Sequence, residues 1–214
     1  MKRFAYATVA FLSIGVCFYA LVAYTALPLG ALVHPDMRES FNAHAVAIRL
    51  HIFAAILALA LGPFQFLPRL RARWPRAHRV MGRLYLGVGV LVGGASGLYV
   101  AQFAHGGPVA RLGFALLAVA WLYTGYKAYA AIRGGDVATH RAWMIRNFAL
   151  TFAAVTLRIW LPASMVAGLR FEDAYAAIAW LCWVPNLLAA EAWIRAVSAA
   201  KRDWLRASPC PRRA

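Results

Sequence analysis

The sequence predicts an all-α protein: a polytopic membrane bundle of six transmembrane helices. Three observations carry that expectation. Of the 214 residues, 63% are hydrophobic and only 14% charged, far from the balance of a water-soluble domain. The apolar residues fall into runs of about 20, the length that crosses a bilayer core. The excess positive charge, +16 in all, sits in clusters at alternate connections between those runs.

The first run, residues 4–33, follows a short Lys2-Arg3 start and far exceeds the apolar core of a cleaved signal, so it reads as a retained span. Further spans are expected near 45–67, 84–104, 112–132, 147–161 and 174–197. The fifth is the weakest, because Arg158 interrupts it and Pro162 is expected to bend or end it. Pro185-Asn186 is expected to kink the sixth and to expose carbonyls that Asn186 or a neighbouring helix must satisfy.

Orientation follows from charge. Arg69, Arg71, Arg73, Arg76, Arg79 and Arg83 share one connection, Arg133, Arg141 and Arg146 flank another, and Lys201, Arg202, Arg206, Arg212 and Arg213 lie in the tail. The other three connections hold one basic residue each and most of the acidic ones. The positive-inside rule then places both termini in the cytoplasm, in a bacterial inner membrane. Residues 1–197 form one transmembrane unit with its core over 45–161, and 198–214 a basic tail that reads as disordered near its end. Membrane lipids, attracted through their anionic headgroups, are the expected partners of these arginines, and nucleic acid is not.

Cys17, Cys182 and Cys210 show neither disulfide nor metal-ligand spacing and read as small buried hydrophobes. There is no Walker loop, no dinucleotide fingerprint, no HExxH and no GxSxG, and seven acidic residues leave little for a carboxylate-based pump.

What remains is a set of helix faces. On the third span His78, Gly82, Gly89, Gly93 and Ser96 share one side, with Gly89, Gly93 and Gly97 forming a small-residue ladder. Close helix packing is its first reading, and room for a flat cofactor the second. On the fifth span His140, Asn147, Thr151 and Arg158 fall within about 20° of one line at about 100° per residue, a polar stripe that must face inward. This stripe is either bundle-locking or the lining of a transport half-channel. Glu191 is expected to pair with Arg195 one turn on.

His78-Arg79 and His140-Arg141 form an internal echo, each at the start of an outward-running helix with a further arginine, Arg83 or Arg146, close behind. Histidines on neighbouring helices with arginines beside them are what a b-type haem needs: neutral imidazoles on the iron and guanidinium groups on the propionates. His78 and His140 are the candidate iron ligands, Arg79, Arg83, Arg141 and Arg146 the candidate propionate partners, and His51 a weaker outer ligand. Membrane electron transfer, with a quinone or other redox partner, is the function this site would support. A small-molecule or ion transporter and a non-catalytic assembly subunit are the alternatives, and oligomeric state is left open.

The runs Leu61-Gly-Pro-Phe-Gln-Phe-Leu-Pro68, His78-Arg-x2-Gly-Arg-Leu-Tyr85, His140-Arg-Ala-Trp-Met-Ile-Arg-Asn147, Val155-Thr-Leu-Arg158 and Trp180-x2-Trp-Val-Pro-Asn186 resemble a bacterial family of membrane proteins known only as a domain of unknown function. The resemblance covers about residues 45–195 and implies a multi-pass membrane protein with no established activity. A looser similarity, by analogy alone, links the placement of His78 and His140 to b-type haem membrane cytochromes.

Overall fold

A computed structural model describes residues 2–207, and among them there is no β-strand. Six helical segments are long and apolar enough to cross a membrane: Phe4–Thr25, Ala45–Gln65, Pro75–Ala101, Gly107–Arg133, Val137–Val166 and Phe171–Ala200. Even the shortest, of 21 residues, measures about 31 Å at 1.5 Å per residue, enough for the hydrocarbon core. A helix is the only open-ended way to satisfy the backbone there, since lipid offers no hydrogen bonds.

Proline and glycine set where the spans begin and stop. The first ends at Thr25, short of the apolar run in the sequence, because Pro28 and Gly30, the latter at φ +85°, turn the chain into a 3-10 turn at Pro35–Met37 and a short helix at Arg38–Ala43. The third begins at Pro75, well before residue 84, with proline at the position where its missing N–H costs nothing. His78 and Arg83 therefore lie within the helix. Gly106, at φ +84°, and Pro108 open the fourth span. Asp136 caps the fifth by accepting the Thr139 N–H at 2.9 Å. Bonds from the Thr139 side chain and backbone hold the Asp136 carboxyl below the usual carboxylate range.

One expectation about breaks is corrected and another is met. Pro162 does not end the fifth span, which continues to Val166; the irregularity falls at Phe152, between Val137–Thr151 and Ala153–Val166. Proline is tolerated within transmembrane helices where neighbours supply the lost contacts. The sixth span is divided into Phe171–Leu181 and Val184–Ala207, and there the expected remedy is present. Asn186 Nδ2 donates to the Cys182 carbonyl at 2.9 Å, to Thr156 Oγ1 at 3.1 Å and to the Ala149 carbonyl at 3.3 Å, tying the break to the fifth span. The helix runs on to Ala207, and the tail from Ser208 onward lies outside the described residues.

The second to fifth spans form the centre, with the third packed between the second and fourth and the fifth against the fourth. The first lies along the second, and the sixth along the fourth and fifth. Tyr85, Leu59, Val155 and Asn147 are fully buried among them, while Phe4, Phe11, Phe18, Val46 and Leu91 point out of the bundle, the sided pattern of helices immersed in lipid. The connection at Arg69–Arg83 marks one end of the bundle, called here the basic end.

Candidate functional site

Buried polar groups of the bundle fall into three levels. In the middle, Tyr85 from the third span meets Asn147 and Thr151 from the fifth and Trp121 and Thr124 from the fourth. The Tyr85 hydroxyl donates to Asn147 Oδ1 at 2.8 Å and lies 2.8 Å from Thr151 Oγ1. Asn147 Nδ2 donates to the Trp121 carbonyl and to Thr124 Oγ1, both at 2.8 Å, and Trp121 Nε1 donates to Thr151 Oγ1 at 2.9 Å. Both amide hydrogens and the amide oxygen of Asn147 are thus satisfied, as a low-dielectric interior demands. The polar stripe therefore faces inward, but at Asn147 and Thr151 it is closed by packing and hydrogen bonds and lines no open path.

Seven residues back along each helix, toward the basic end, come His78 and His140. Tyr85 and Asn147 touch, so this offset of two turns brings the two imidazoles to the same level on parallel helices. His78 lies within electrostatic reach of His140, Arg71 and Arg79. The two rings differ in their bonding. His140 Nδ1 is 2.8 Å from the Ala128 carbonyl of the fourth span. The carbonyl can only accept, so Nδ1 carries the hydrogen, and in the neutral tautomer this leaves the lone pair on Nε2. His78 Nδ1 is buried with no hydrogen-bond partner, and so is Nε2 of Gln65 at the end of the second span. A Cβ on Gly82, one turn from His78, would come 3.3 Å from Gln65 Oε1, which places Gln65 against the same helix.

The arginines divide. Arg79, Arg83 and Arg141 are exposed around this pair. Arg146 is engaged within the bundle: its Nε and Nη2 bind both carboxylate oxygens of Glu191 on the sixth span, the second at 3.0 Å, and its guanidinium stacks 4.6 Å from the Trp143 ring centroid. In place of the expected Glu191–Arg195 ion pair, Glu191 makes this two-bonded bridge to the fifth span, with Arg195 still within electrostatic reach.

The glycine ladder holds no cleft. A Cβ on Gly89 would lie 2.8 Å from Ala58 Cβ, one on Gly93 3.1 Å from the Trp121 ring, and one on Gly97 2.7 Å from His51 Nδ1. Close packing is the use of these glycines, and a flat cofactor along that face is excluded. Tyr85–Val90, at the foot of the ladder, is a π-helical turn, with the Leu91 N–H bonded to the Leu86 carbonyl.

At the opposite end His51 Nδ1 sits 2.8 Å from the Gly93 carbonyl, in the space that Gly97 leaves. Arg158 Nη1 donates to the Ala154 carbonyl at 2.8 Å, and the guanidinium lies 5.6 Å from the Tyr19 ring centroid. His44 stacks on Phe103 and His34 on Phe171, contacts that suit loop packing. Among the described residues no group of three or more His, Cys, Asp or Glu side chains could hold a metal ion; the sequence-predicted ligand set has two histidines.

The model of a predicted membrane protein family, DUF2306, matches residues 48–194, well over half of the chain. The chain belongs to that family. DUF2306 thus takes in all five spans from the second to the sixth apart from their outermost turns, including His51, the His78–His140 pair, the central network and Arg158, whereas the first span lies outside it. No curated protein and no solved structure matches the chain. Sequence reasoning did not single out Tyr85, Trp121 and Thr124, the partners of Asn147. Tyr85 carried a usable signal, since it follows His78 at the same seven-residue interval that separates His140 from Asn147.

Proposed function

We propose that the protein transfers electrons within a bacterial inner membrane, with its basic end and both termini in the cytoplasm and a b-type haem held between His78 and His140. The supporting observation is the bonding of the two imidazoles. One is oriented by a backbone carbonyl so that its free lone pair is presented, the arrangement that holds a ligating histidine. The other has a buried nitrogen that no protein group satisfies. Arg79, Arg83 and Arg141 suit the two propionates, and Arg146, committed to Glu191, braces the fifth span instead. A bound haem supplies reversible one-electron chemistry. The chain's part is to hold both imidazoles in place, and the closed network at Tyr85 and Asn147 seals the site from the bundle above. A quinone or a redox protein is the partner such a carrier requires.

The test is a dithionite-reduced minus oxidised spectrum of protein purified in mild detergent from cells supplied with haem. Bands of a bis-histidine haem are expected in the natural sequence and lost in His78→Ala and His140→Ala. A folded, monodisperse sample without those bands overturns the proposal.

A further inference from the structure

Arg158 lies eight residues before the end of its helix at Val166, about 12 Å along the axis, within the half of the bilayer opposite the basic end. A cation at such depth costs several kcal/mol unless something compensates it. The described ion pairs are His34–Asp36, His105–Glu172, Arg146–Glu191 and Arg170–Asp173, and none includes Arg158. Of its five N–H donors, one bonds the Ala154 carbonyl, and no other acceptor is found among the described residues. The groups that face it are Tyr19, Tyr24 and Cys17 from the first span and His51 from the second, none of them a carboxylate.

Among the described residues no acidic group pairs with Arg158. Beside the guanidinium the surface is apolar and open to the membrane, with Phe18, Leu21 and Val22 exposed on the first span and Ile159 and Trp160 on the fifth. We propose that Arg158 binds a phosphate oxyanion, that of an anionic phospholipid in the leaflet opposite the basic end, whose acyl chains lie along the first span. A planar guanidinium meets two phosphate oxygens at once, and the neighbouring tyrosine ring faces its π-surface. The site stands about 27 Å along the fifth span from His140 and does not depend on haem.

Arginine-specific labelling of the full chain in nanodiscs tests this. Discs of phosphatidylcholine are compared with discs containing phosphatidylglycerol, and with phosphatidylcholine discs in excess inorganic phosphate. Phosphatidylglycerol is expected to slow modification of the Arg158 peptide roughly tenfold, equivalent to about 1.4 kcal/mol of binding. Arg111 and Arg170, exposed at the same end, report any general effect of surface charge and should change much less. Equal labelling of Arg158 in the two lipids, protection no greater than that of Arg111, or no labelling in any disc overturns the proposal. Protection by inorganic phosphate alone overturns the lipid assignment. In native mass spectrometry Arg158→Gln should lose one tightly held phosphatidylglycerol, and an unchanged lipid count would contradict the site.

Discussion

The cluster around Asn147 and the cluster around His78 lie two helical turns apart in one bundle, and polar atoms fare differently in each. Around Asn147 five side chains from three helices satisfy one another, and Asn147 itself is wholly shielded. Around His78 and Gln65, two buried nitrogens find no hydrogen-bond partner among the described residues. Leaving a buried donor or acceptor unmet costs about 1–3 kcal/mol, so the first cluster holds helices together, whereas the second carries an unmet cost at His78 Nδ1 and Gln65 Nε2.

The largest test of that contrast is Asn147→Leu, which strips three hydrogen bonds and leaves the Trp121 carbonyl and Thr124 hydroxyl short of a donor. It is expected to destabilise the protein by about 3 kcal/mol in a denaturant titration in detergent. Gln65→Leu, the same change at another buried amide, should cost less than about 1 kcal/mol or stabilise the ligand-free protein, because no bond is lost from its Nε2. Similar losses for both variants would erase the distinction. Next in size is Gly89→Ala. Its new methyl would meet the Cβ of Ala58 at 2.8 Å and its backbone at 3.1 Å, which cannot swing aside, and overpacking of this kind costs about 1–3 kcal/mol. An unchanged melting temperature would show that the second and third spans are not held at this distance.

The smallest effect concerns pH. The Asp136 carboxyl is held below its ordinary value in the folded state, so its contribution is complete above the unfolded carboxyl's pKa and is lost as pH falls through the lower folded one. Asp136→Asn, which keeps a capping oxygen without the charge, should flatten the decline in melting temperature between neutral and acid pH. A decline identical to that of the natural sequence would show that the cap, and not its charge, is what counts there.

The membrane class and the number of spans were legible from apolar runs and alternating arginines, because length and hydropathy alone decide what crosses a bilayer. Span ends were less so: Pro162 reads as a terminator in isolation, yet Pro75 opens a helix and Pro162 is carried within one. The inward stripe of Asn147 and Thr151 followed from angle, and the expectation that His78 and His140 lie toward one end of the bundle came from their places at the starts of two outward-running spans. The partners did not. Whether Glu191 meets Arg195 on its own helix or Arg146 on another depends on how helices are rotated about their axes, and a single helix period carries no such information. The Gln65 and His78 vacancies in hydrogen bonding are likewise products of three helices meeting, invisible in any one of them.

The π-helical turn at Tyr85–Val90 divides the third span into two angular frames. Such a turn holds one residue more than regular winding would, so the segment carrying His78 and the segment carrying the glycines are phased independently against their neighbours. Deleting a single residue between 85 and 90 would restore uniform winding and swing one segment by about 100° relative to the other. Either the imidazole would leave its partner or the glycines would turn from Ala58 and His51 toward lipid. A change in residue count there is therefore expected to disturb the bundle more than a substitution at an outward position of the same span.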